Sequence, residues 1–186
     1  MELGQLVTLG HQEPGLPFLI IGGHAVAAHG YSRTTLDTDI LIPADDHSYW
    51  KERLEQTGLQ LVNKSSSFAQ YSAQHGMSGM DLMLVKRETF QPMWEASEST
   101  VFGLAQARVP CLNHLLALKL HVLKQGHADR TMKDATDVEM LVRKRGLNLR
   151  SQEYEQLFLK YGTREIYETF CRVTRPEPGS SMVPGP

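Results

Sequence analysis

A chain of 186 residues, 41% hydrophobic and 22% charged, is long enough for one substantial core or for one core with a helical appendage. Its formal net charge of -2 argues against a strongly basic nucleic-acid binder and leaves room only for a local basic patch. No run approaches the roughly 18 apolar residues of a membrane span, and MELGQLVTLGHQEPG has neither the basic nor the apolar region of a signal peptide, so a cytoplasmic protein with no membrane partner is expected.

In chain order, residues 1 to 12 are predicted as a short helix closed by Pro14, Gly15 and Pro17. The apolar run Phe18 to Ile21 reads as a buried strand, Gly23 to Gly30 as two helical turns, and Leu36 to Ile42 as a second strand stopped by Pro43. An amphipathic helix is expected over Asp45 to Gln56, capped near Asp45. Strands follow at Leu59 to Val62 and Phe68 to Ala73, joined by the polar NKSSS stretch, and a turn at His75 to Gly79 leads to the apolar strand Met80 to Val85. Glu88 to Ala96 fits a short helix, and Thr100 to Leu104 with Ala107 to Cys111 fits a hairpin. Thereafter only helices are expected: Asn113 to Gln125, Met132 to Arg145, Ser151 to Tyr161 and Thr163 to Thr174, with Asn113, Ser151 and Thr163 as N-caps.

The pattern is α+β, a mixed β-sheet flanked by helices and followed by a C-terminal helical region. Its expected division is an α/β core over 1–111, helices over 112–175 and a disordered Pro/Gly/Ser-rich tail over 176–186.

Chemistry concentrates in FLIIGGHAVAAHGYSRTTLDTDILI. Alternation along a strand would put Asp37 and Asp39 on one face about 6.5 to 7 Å apart. Two close carboxylates repel unless a cation sits between them, and Mg²⁺ takes one or two carboxylates with water and phosphate oxygens. Asp81, in the strand MDLMLV, adds a third acid if its strand lies beside the second. Three carboxylates suffice for a two-metal site. The bland alternative is a pair of solvated acids on a half-exposed strand. Gly22 and Gly23 end a strand and open a helix, an arrangement that frees amides for an anion but also serves as a plain tight turn.

On the helix from Asn113, Lys119 falls inside a stripe of leucines, where it either snorkels to the edge or meets a phosphate or carboxylate. Asp134 shares a face with Val138 and Leu141 and reads as a structural partner of Arg130, Lys133 or Lys119, with Asp137 at the edge. The histidines lack metal-ligand spacing. Cys111 and Cys171 lack the pattern of a disulfide framework or zinc site and read as small buried apolar residues. Arg143, Lys144, Arg145 and Arg150 form a solvated helix end, or a small patch for an RNA backbone.

Taken together, GGHAVAAHGYSRTTLDTDILI, MDLMLV, LNHLLALKLHVLK and RTMKDATDV resemble the DNA-polymerase-beta-like nucleotidyltransferase superfamily, most closely its small bacterial AbiEii-type toxins. The resemblance spans about Phe18 to Val142. It implies that Gly22 and Gly23 contact an NTP, that Asp37, Asp39 and Asp81 bind Mg²⁺ with Asp81 as general base, and that Arg33 and Lys119 touch phosphates. It further implies transfer to an RNA or tRNA end or a protein, or to an antibiotic, with a cognate antitoxin as a partner and no recognition of DNA sequence. Many relatives carry Ser after the first glycine; here Gly23 and His24 follow Gly22. A silent nucleotide- or RNA-binding module is the rival outside enzymes.

Overall fold

The computed structural model describes residues 3–12, 15–35, 37–73, 79–126 and 128–174. Leu36, most of the expected turn from His75, and the tail beyond Thr174 lie outside them. The chain divides into two compact units, Met1–Leu115 and Leu116–Pro186.

The first unit begins with α1 (Leu3–His11), β1 (Leu19–Ile20), α2 (Gly22–Ala28) and β2 (Thr38–Pro43). A 3-10 turn at Ala44–Asp46 leads into α3 (His47–Gln56), so Asp45, expected at the start of that helix, sits in the preceding turn. Next come β3 (Leu59–Lys64), β4 (Phe68–Ala73), β5 (Met80–Val85) and α4 (Arg87–Glu95). The hairpin of β6 (Glu98–Phe102) and β7 (Ala105–Val109) turns at Gly103 and Leu104. Its turn falls earlier in the chain than the apolar pattern suggests, because Gly103 accepts the φ of +64° that a tight turn uses.

Five strands form one mixed sheet in the order β1-β2-β5-β4-β3. β2 and β5 are parallel neighbours, and the other pairs are antiparallel. One face carries Thr38, Ile40 and Ile42 of β2, Met80, Leu82 and Leu84 of β5, and Ala69 and Tyr71 of β4, all buried. Each fully buried Leu or Ile contributes about 1.5–3 kcal/mol. Polar groups also lie on this side: His47 Nε2 is 3.1 Å from the Tyr71 hydroxyl, and His47 Nδ1 is 3.2 Å from Lys64 Nζ. Since an ammonium only donates, Nδ1 accepts and Nε2 carries the proton given to Tyr71. Burial, with a smaller effect from Glu55, pushes the Tyr71 hydroxyl up to about 12.

The opposite face carries a different register row. Asp39 pairs with Asp81, Asp81 with Gln70, and Gln70 with Asn63, so four polar residues stand side by side across β2, β5, β4 and β3. Partners in register project to the same face of a sheet. A shift in register between Leu61 and Asn63 returns Asn63 to that face while Lys64 turns toward His47.

The second unit holds most of α5 (Leu112–Gln125), then α6 (Ala128–Lys144), α7 (Gln152–Tyr161) and α8 (Arg164–Val173). Leu112 already belongs to α5, so Asn113 lies inside the helix rather than at its N-cap. The other two caps form as expected: Ser151 Oγ accepts from Tyr154 N and Thr163 Oγ1 from Ile166 N. Phe158 is fully buried, with Tyr167 and Phe170 edge-on at 6.2 and 5.8 Å.

Candidate functional site

β1 ends at a turn that lies directly against β2. Ile21 N donates to Asp39 O at 2.9 Å, which brings the first residues of α2 over the Asp39 side chain. Gly22 has φ +60°, and a Cβ on it would overlap Asp39 Oδ2, with Asp39 Cγ at 2.7 Å and Cβ at 2.9 Å. A Cβ on Gly23 would stand 2.8 Å from Thr35 Oγ1 and 3.0 Å from Arg33 Nη1. The two glycines therefore do separate jobs: the first admits the Asp39 carboxylate, the second admits Thr35 and the Arg33 guanidinium.

Asp39 is half-buried and Asp81 is buried, and their pairing in parallel strands places them side by side. Asp37 is exposed in a bend ahead of β2, so strand alternation does not set its direction as the sequence pattern implies. Among the described residues no group of three or more His, Cys, Asp or Glu side chains is arranged to hold a metal ion, so the expected three-carboxylate, two-metal cluster is not assembled there. The Asp39 and Asp81 pair still matches the hard oxygen donors that a divalent cation such as Mg²⁺ takes from protein, with water and phosphate completing its shell.

Two histidines frame α2. His24, half-buried, meets Phe102 of the hairpin edge-on at 6.0 Å. Burial holds its imidazole below the usual histidine range, Asp39 pulls it back up, and Arg33 lowers it further. His29 Nε2 lies 2.8 Å from Pro110 O and ties the end of α2 to the segment before α5. Neither role is visible from spacing alone. Thr35 and Gln70 are likewise invisible without the sheet, since their importance comes from what they lie beside.

Lys119 belongs to the second unit. Expected at a phosphate, its ammonium is instead 2.5 Å from Asp134 Oδ1 and 2.7 Å from Asp137 Oδ2. Asp137, read from the sequence as an edge residue, is wholly buried. The cluster is the structural pairing expected of Asp134; the side chain of Arg130 lies outside the described residues. Arg143, Lys144, Arg145 and Arg150 are exposed, with Arg143 Nε 2.9 Å from Glu139 Oε1. The cysteines are half-buried rather than core, and Cys111 Sγ lies 3.3 Å from His114 Nδ1. A groove of about 740 Å³, lined by Thr8, His11, Phe18, Trp94 and Arg108 among others, contains none of the acids or paired glycines.

No family model and no curated protein matches this sequence. Solved structures do. The solution structure of the antibiotic-resistance factor ANT(2'')-Ia superposes with a TM-score of 0.63 at 16% identity, over 91% of this chain and 96% of that one. The fold is that of the nucleotidyltransferases. An antigenic nucleotidyltransferase-like protein from Paracoccidioides brasiliensis gives 0.54 at 16% identity, covering 91% and 90%. The lincosamide antibiotic adenylyltransferase LnuA, lincomycin-bound, gives 0.53 at 15% identity, covering 74% and 92%. Within this nucleotidyltransferase fold, no helix of the described residues is long and apolar enough to cross a membrane.

Proposed function

We propose that the chain is a nucleotidyltransferase that moves a nucleoside monophosphate from an NTP to an acceptor hydroxyl. The observation that carries this reading is the packing of Gly22 onto the Asp39 carboxylate with Asp81 in register beside it. A backbone turn with no Cβ in the way offers its amides to phosphates, and two hard carboxylates stand at the same spot. The half-buried Arg33 guanidinium beside Gly23 adds a phosphate contact.

In the reaction, the acceptor hydroxyl oxygen bonds to the α-phosphorus, the bond from that phosphorus to the bridging oxygen breaks, and pyrophosphate leaves. Asp81 takes the hydroxyl proton as general base. Asp39 and Asp81 would hold Mg²⁺, which would neutralise charge on the phosphates. Positioning and charge compensation are what phosphoryl transfer asks of a protein. Lys119, already held by two aspartates, is given a structural role instead of a phosphate contact.

The acceptor is an RNA or tRNA end or a protein side chain, the chemistry of an AbiEii-type toxin with its antitoxin. A small antibiotic acceptor is the second reading, favoured by the fold match to lincomycin-bound LnuA. The test is transfer of label from each α-labelled NTP with Mg²⁺ into total RNA, a protein mixture or lincomycin. Wild type should label one of them, and Asp39→Asn and Asp81→Asn should not, while keeping the circular dichroism of the parent. Retained transfer in Asp39→Asn sinks the metal-ligand role; label in lincomycin alone selects the second reading.

A further inference from the structure

We propose that Gln70 on β4 binds the acceptor, its carboxamide hydrogen-bonding the acceptor molecule beside the hydroxyl that Asp81 deprotonates. This rests on the transfer reading above and extends it from the nucleotide to the second substrate.

The argument starts from the strand order. β1 and its Gly22-Gly23 turn lie on one side of β2, while β5 and then β4 lie on the other. Along the register row the sequence of groups is therefore the glycine turn, Asp39, Asp81, Gln70 and, on the edge strand, Asn63. Neighbouring strands are about 4.8 Å apart, so Gln70 stands roughly 5 Å from Asp81 and roughly 10 Å from Asp39 on the same face.

Phosphoryl transfer proceeds with the attacking and leaving oxygens roughly in line through phosphorus. With the triphosphate against the glycine turn, pyrophosphate departs toward β1, and the attacking hydroxyl arrives from the β4 side. It reaches the α-phosphorus across Asp81, and the next residue it passes in the row is Gln70.

The chemistry of Gln70 suits that place. Its side chain is half-buried and makes no hydrogen bond to another described residue, so its amide donors and carbonyl acceptor are available. Beyond Asp81 the row continues with two neutral carboxamides, Gln70 and Asn63, while Lys64, the residue after Asn63, turns to the other face and His47. Such a surface takes an uncharged group bearing hydroxyl or amide functions next to the reacting hydroxyl, through neutral donors and acceptors rather than an ion pair.

The experiment compares wild type, Gln70→Leu, Gln70→Asn and Asp39→Asn in steady-state transfer from labelled NTP to whichever of lincomycin, total tRNA or the protein mixture the wild type labels. Expected for Gln70→Leu is an acceptor KM raised about tenfold, the size of one neutral hydrogen bond, with the NTP KM and the circular dichroism unchanged. Gln70→Asn, which keeps a shorter carboxamide, should fall between, and it carries the comparison if Leu disturbs the strand. An unchanged acceptor KM in both variants, with Asp39→Asn inactive, overturns the role of Gln70 and leaves the transferase standing. Equal rises in acceptor and NTP KM also overturn it, because the residue then acts on the site as a whole. No transfer from wild type to any of the three overturns the transferase reading, and this proposal with it.

Discussion

Replacing Gly22 by Ala tests the site at its tightest point. Two effects add. An L side chain in the left-handed region costs about 1–2 kcal/mol. The new Cβ also occupies the space of the Asp39 carboxylate, so that side chain must leave its rotamer at about 0.5–1.5 kcal/mol, or β2 must shift. Gly103→Ala separates the two effects, since Gly103 has φ +64° and nothing within 4 Å of its Cβ position. Urea unfolding followed by circular dichroism should place Gly103→Ala about 1–2 kcal/mol below wild type and Gly22→Ala lower still. Label transfer should be near normal in Gly103→Ala and reduced about 100-fold in Gly22→Ala, the effect of displacing a reacting group by about 1 Å. Equal transfer rates in the two variants would refute the claim that Gly22 is small in order to seat Asp39.

Lys119→Met strips the shared cation from Asp134 and Asp137 and should lower unfolding stability by about 3–5 kcal/mol, as breaking a buried ion pair does; a urea midpoint within error of wild type would argue against a structural role. Burial, then Lys64 and Lys51, hold the His47 imidazole below its ordinary value near 6.5. Between 6.5 and the lower folded value the unfolded chain binds more protons than the folded one, so stability present above pH 6.5 falls as the pH drops. Urea midpoints from pH 7.5 to 5.5 should fall more steeply in wild type than in His47→Gln, and parallel slopes would exclude His47 as a source. Thr163→Ala removes the cap on Ile166 N and should cost about 1 kcal/mol in the same assay.

Elements defined by local pattern were legible in advance. The run Met80 to Val85, apolar but for Asp81, is β5 to the residue, and the Ser151 and Thr163 caps sit where side-chain oxygens precede amphipathic runs. The adjacency of Asp39 and Asp81 is not legible in the sequence, because parallel pairing is decided by packing between distant segments and leaves no trace in either strand alone. Alternation does not position Asp37, because β2 begins only at Thr38. Lys119 showed itself as a cation in an apolar stripe, which leaves phosphate and carboxylate equally good partners until α6 is in place. Gln70 had no signal at all; a glutamine in a short strand is ordinary until its register partner turns out to be Asp81.

The parallel pairing of β2 with β5 bears on when in the life of a chain the site exists. Asp39 and Asp81 are separated in sequence by α3, β3 and β4, and such nonlocal contacts form only after the intervening loop closure has been compensated by other contacts. A chain extended only through β4 carries Asp39 and the glycine turn but not Asp81. The two acids of the proposed site thus come together only on completion of the central sheet, and a chain that stops short of β5 lacks the residue proposed as base.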